Sequence, residues 1–102
     1  MDSPEQEDDV FELAAQQTVD LANRIADEYP DADLWDVASG ILAGAVQYWL
    51  YSRQPCGDPF CDACAEVSTA EQRMRSLLDE IRESATQSDY YHTPHDSNVG
   101  TA

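Results

Sequence analysis

Sixteen consecutive residues, Val37 to Ser52, pass without a charge in a chain of 102 residues that carries 21 Asp and Glu against 5 Arg. This run constrains the fold more than any motif does. It reads VASGILAGAVQYWLYS and follows Leu34 and Trp35. A helix here is apolar nearly all round, so it is central to the fold or is covered by another subunit. Sixteen residues fall short of the about 18 to 20 that span a bilayer. Ser39, Gln47 and two tyrosines interrupt the run, which therefore reads as a buried core helix and not as a membrane span. Gly40 and Gly44 lie on one helical face with Ala43 beside them. Small residues at that spacing allow close backbone approach, so the sequence predicts tight packing there.

Periodicity supplies the neighbours of this helix. Phe11, Ala14, Thr18, Leu21 and Ile25 recur at alternating spacings of three and four residues, and Val10, Leu13 and Ala22 widen the face. A first helix is predicted from Asp9 to Tyr29, stopped by Pro30. Asp20 and Arg24 are placed for an i, i+4 pair on its wet side. Asp33 is placed to cap a second helix from Leu34 to Tyr51, with Asp36 in its first turn. Residues 53–67 read as a loop, with Pro55, Gly57 and Pro59. Ser68 and Glu71 fit a capping box that opens a third helix from Thr69 to Ala85, with Met74, Leu77, Leu78, Ile81 and Ala85 as its apolar stripe. Glu71, Arg75 and Asp79 form a charged ladder on the other side. No strand-period segment and no internal repeat is present. The expected fold is all-α: a helical hairpin plus a third helix, with a cysteine-rich loop between helices 2 and 3. Residues 1–8 read as a disordered acidic lead, 9–86 as one helical domain and 87–102 as a polar tail.

The acid load is uneven. Residues 1–36 hold 12 acids and one arginine, while residues 53–102 hold nine acids and four arginines. Lysine is absent. Where acids alternate with periodic apolar residues, self-repulsive disorder fits only the two ends of the chain. In molar salt the Debye length shrinks to about 3 Å, so surface carboxylates barely repel. Carboxylates also favour solubility, whereas the apolar stem of lysine would add hydrophobic surface. The composition resembles that of proteins from salt-accumulating haloarchaea. The N-terminus MDSPEQEDD has neither a basic n-region nor an apolar h-region, which predicts a cytoplasmic protein whose cysteines are thiols or metal ligands, not disulfides.

The chemistry-bearing segment is Cys56-Gly-Asp-Pro-Phe-Cys61-Asp-Ala-Cys64. C-x2-C spacing lets two thiolates grip one ion from a tight turn, and Gly57 and Pro59 preset that turn. Thiolates are soft donors, suited to zinc, copper(I) or iron–sulfur chemistry and not to magnesium or calcium. A closed zinc site needs four ligands. His92 and His95, in the segment YYHTPHD, are the candidates for the fourth, and Asp58, Asp62, a water or a second chain are the alternatives. The C-x4-C-x2-C spacing resembles the cluster-binding loop of plant-type ferredoxins over nine residues. The downstream fourth cysteine of that family and its strand-rich pattern are missing.

Catalytic signatures are absent: the chain has no nucleophile elbow, no glycine-rich phosphate loop and no HExxH. Direct nucleic-acid binding is disfavoured, because phosphate contacts need basic side chains and only Arg73, Arg75 and Arg82 cluster. The sequence thus points to a non-enzymatic interaction or regulatory protein with a structural zinc. Its expected interface, for a homodimer or another protein, lies on helix 2 at Trp35, Ile41, Leu42, Tyr48 and Trp49. The alternatives are a redox or metal-handling protein that uses the same cysteines, and a transcriptional regulator with helix 3 as reader.

Overall fold

The computed structural model describes residues 4–58 and 60–94, with side chains from Asp9 onward. Every regular element among these residues is helical. The order is α1 (Pro4–Glu28), α2 (Leu34–Ser52), a short 3-10 helix (Asp62–Val67) and α3 (Ala70–Thr86). The all-α class, the three main helices and the cysteine loop between the second and third hold. The chain divides into two units, Met1–Tyr48 and Trp49–Ala102.

In the first unit α1 begins at Pro4, five residues before the apolar periodicity predicts. Proline suits a first helical position, because the N–H it lacks has no intrahelical partner there and its φ is already helical. The helix closes with Tyr29 N–H donating to the Ile25 carbonyl at 2.9 Å. Pro30 then disfavours helical backbone at Tyr29 and removes the next donor. Ala32 N–H turns back onto the Tyr29 carbonyl at 2.9 Å. Asp33 caps α2 as expected. Its carboxylate accepts from Trp35 N–H at 2.9 Å and its carbonyl accepts from Val37 N–H at 3.1 Å. On α1, Asp20 accepts from the Gln16 amide at 3.0 Å, and the expected Asp20–Arg24 pair is not among the ion pairs of the described residues.

Two expectations for α2 are corrected. No residue of α2 is buried, and Trp35 is 81% exposed. Of the two roles open to an all-round apolar helix, the buried one is therefore not seen among the described residues. At Gly40 and Gly44 an added Cβ would meet nothing within 4 Å, so the predicted tight packing is not seen there among the described residues. The GxxxG pattern records small size, and size alone does not supply a neighbour.

The second unit opens with the last turn of α2. Its orphan carbonyls are taken up locally: Ser52 Oγ donates to the Trp49 carbonyl at 2.6 Å, and the Gln54 amide donates to that of Leu50 at 3.1 Å. Residues 62–67, predicted as loop, form the 3-10 helix. Ser68 Oγ donates to the Cys64 carbonyl at 2.7 Å. The capping box therefore sits one residue later than predicted, on Thr69 and Gln72. Gln72 N–H donates to Thr69 Oγ1 and Thr69 N–H to Gln72 Oε1, each at 3.1 Å. The Arg73 guanidinium donates to the Val67 carbonyl at 2.8 Å and ties the 3-10 helix to α3. Leu77, on the predicted stripe of α3, is the buried residue among those described.

Trp49 closes this unit. Its indole N–H donates to a Glu80 carboxylate oxygen. The Arg53 guanidinium lies 4.6 Å from the Trp49 ring centroid and 3.8 Å from the other Glu80 oxygen. Aromatic face, cation and carboxylate thus form one clasp between the end of α2 and the middle of α3, with each member touching the other two.

Candidate metal centre

The thiols of Cys56, Cys61 and Cys64 lie within 4.8 Å of one another. Backbone geometry brings them there. Gly57 takes φ +93°, which reverses the chain directly after Cys56. The Asp58 carboxylate accepts from Phe60 N–H at 3.0 Å, and the Asp58 carbonyl accepts from Cys61 N–H at 3.1 Å. This aspartate-led turn carries the chain back. Cys64 N–H then donates to the Cys61 carbonyl at 3.2 Å, so the C-x2-C pair spans the start of the 3-10 helix. Cys56 N–H points at the Cys64 sulfur at 3.4 Å, which draws the distant cysteine onto the pair.

A tetrahedral ion at about 2.3 Å from each sulfur needs sulfurs about 3.8 Å apart. The observed spacing reaches this with small inward movements. Cys56 is exposed, Cys61 and Cys64 are half-buried, and all three are free thiols. Their acidities differ. Hydrogen bonds from Cys64, side chain first and then backbone, together with one from the Cys56 side chain, hold the Cys61 thiol below its ordinary range. Cys64 is pulled both ways. The Cys56 N–H favours its thiolate, but the hydrogen bonds its thiol makes to Cys61 and Cys56, with its desolvation, leave it raised. Such a trio would bind a soft cation with release of thiol protons.

The described thiol group contains none of the other predicted donors. His92 is not a member of the thiol group, and its ring meets that of Tyr91 edge-on, with centroids 4.9 Å apart. His95 lies outside the described residues. Asp58 and Asp62 are exposed and neither joins the thiol group. Among the predicted interface residues Trp35, Leu42 and Tyr48 are exposed and Ile41 is half-buried. Trp49 is half-buried in the clasp with Arg53 and Glu80, inside its own chain. The i, i+4 spacing of Trp49 and Arg53 at a helix end was the one signal for that clasp, because Glu80 is 31 residues away. Of the clustered arginines, Arg73 is spent on the Val67 carbonyl and Arg82 lies 3.8 Å from Asp79. Among the described residues no helix is long and apolar enough to cross a membrane. No family model, curated protein or solved structure matches the chain.

Proposed function

We propose that the protein is a small non-enzymatic interaction or regulatory module, stapled between α2 and α3 by a zinc ion on Cys56, Cys61 and Cys64 with one further donor. The observation that carries this reading is the convergence of three sulfurs within 4.8 Å. Zinc suits a site that links secondary structure, because it is redox-inert and accepts tetrahedral thiolate coordination. A short chain also gains most from such a staple. The surface offered to a protein partner, or to a second copy, is α2 at Trp35, Ile41, Leu42 and Tyr48. The acid-rich, lysine-free surface supports work in molar salt, inside the cell.

The test is elemental analysis of protein purified in molar potassium chloride, together with its mass in solution. One zinc per chain is expected, and chelation should unfold residues 49–94. A metal-free protein with α3 fully protected from hydrogen exchange would sink the reading. A second reading, thiol or iron–sulfur redox chemistry, draws support from the exposed Cys56 and the acidified Cys61. A cluster would colour an anaerobic preparation, and a colourless one counts against it.

A further inference from the structure

Two helices alone do not enclose a core, and among the described residues up to Tyr48 none is buried. Residues 9–21 of α1 are all exposed, and its half-buried residues, Ala22, Ile25 and Ala26, gather at the turn end. Across the turn Val37 and Ile41 are half-buried. Residues 1–8 and 95–102 add only Met1 and Val99 as large apolar side chains, too little to cover the rest.

One exposed stripe of α2 has a pattern of its own. Trp35, Ala38, Leu42 and Ala45 follow spacings of three, four and three, the seam of a helix pair. The spacing is symmetric about residue 40, and large and small side chains alternate along it. Two such seams laid antiparallel about a two-fold axis set Trp35 against the partner's Ala45 and Leu42 against the partner's Ala38. The stripe is therefore complementary to itself. Charge favours the same occupant. At a net charge of −16 two copies repel wherever their acids face, and residues 37–52 carry none. A basic partner would find its carboxylates on α1 instead. With Val10, Phe11 and Leu21 of α1, the stripe exposes on the order of 700 Å² of side chain, near the about 800 Å² per partner of a standard interface.

We propose that two copies of the chain pair antiparallel through Trp35, Ala38, Leu42 and Ala45, and that the two α1–α2 hairpins complete a four-helix bundle. This takes up the α2 surface of the reading above and commits it to a second copy, without need of the metal.

Sedimentation of the full chain, zinc-loaded and metal-free, in about 0.5 to about 2 M potassium chloride reads the dissociation constant. A dimer is expected in both forms, tighter at higher salt because like charges are screened. Ala45→Trp sets indole against indole and should weaken it at least about tenfold. Trp35→Ala combined with Ala45→Trp restores large against small and should recover most of that loss. Monomers throughout overturn the pairing. So does a dimer indifferent to Ala45→Trp, or a loss that the double variant does not recover. A dimer that loosens with salt, or that dissociates on removal of zinc, is held by other contacts and overturns it too. Zinc counted on the same samples keeps the two readings apart. A zinc-bearing monomer sinks the pairing alone, and a metal-free dimer leaves the pairing standing while the staple falls.

Discussion

In α1 the side chains bond within their own helix, Gln16 to Asp20 and Thr18 to Ala14. In residues 49–94 they reach across the chain, from Trp49 to Glu80 over 31 residues and from Arg73 back to Val67. The first region is the more densely acidic, and its described apolar side chains are exposed or half-buried. The second carries the buried Leu77, the aromatic clasp and the thiols. Helical pattern alone therefore does not decide how firmly a segment is held. Both regions have clean periodicity, and among the described residues the second adds side-chain bonds between residues distant in sequence. The first region should answer to propensity and salt, and the second to the loss of single side chains.

The largest effect is expected at Leu77. Leu77→Ala should cost about 2 kcal/mol, the low end for a core truncation, because no other described residue is buried beside it. Hydrogen exchange should show the loss across α3 with α1 unchanged. An equal loss in α1 would mean that the two regions unfold as one. Next come Gly40→Ala and Gly44→Ala, each expected to stabilise α2 by about 1 kcal/mol in thermal melts, since the added methyl meets open space. Destabilisation instead would reveal another surface seated against that face.

Glu80→Gln should cost about 0.5–1 kcal/mol, because its carboxylate is roughly half exposed and its ion pair is discounted by solvent. It should also alter Trp49 fluorescence. Its effect should not add to that of Trp49→Phe in a double-mutant cycle, and strict additivity would dissolve the clasp as an energetic unit. The smallest effect per residue is that of salt. Dilution from molar to 0.1 M salt lengthens the Debye length from about 3 to about 10 Å. Each like-charge neighbour pair on α1 then costs a few tenths of a kcal/mol, on the order seen for helix pairs. α1 amides should lose protection before those of α3, and simultaneous loss would show the charge asymmetry to be immaterial.

The sequence made the helices legible because apolar residues at spacings of three and four have one comfortable home. It made the thiol trio legible because C-x2-C is a local geometry. It was less decisive where two local readings tie. Ser68 with Glu71 and Thr69 with Gln72 both satisfy the capping pattern, and the tie is broken by the carbonyl of Cys64, which takes the Ser68 hydroxyl. Residues 62–67 are too short for a period to show. The early start of α1 was hidden because residues 4–8 carry no apolar repeat, although Pro4 marks a favourable first position. The Trp49–Arg53–Glu80 clasp joins residues on different helices, and no local pattern can name such a partner.

Gly57 has one more consequence. Its φ of +93° lies where L-residues are strained, yet a Cβ placed on it would touch nothing within 4 Å. The loop is therefore demanding in handedness and indifferent to bulk. A mirror-image residue, D-alanine, introduced there by chemical synthesis would carry the same methyl as L-alanine with the opposite torsional preference. The stereochemistry of a single carbon would then decide whether three sulfurs meet.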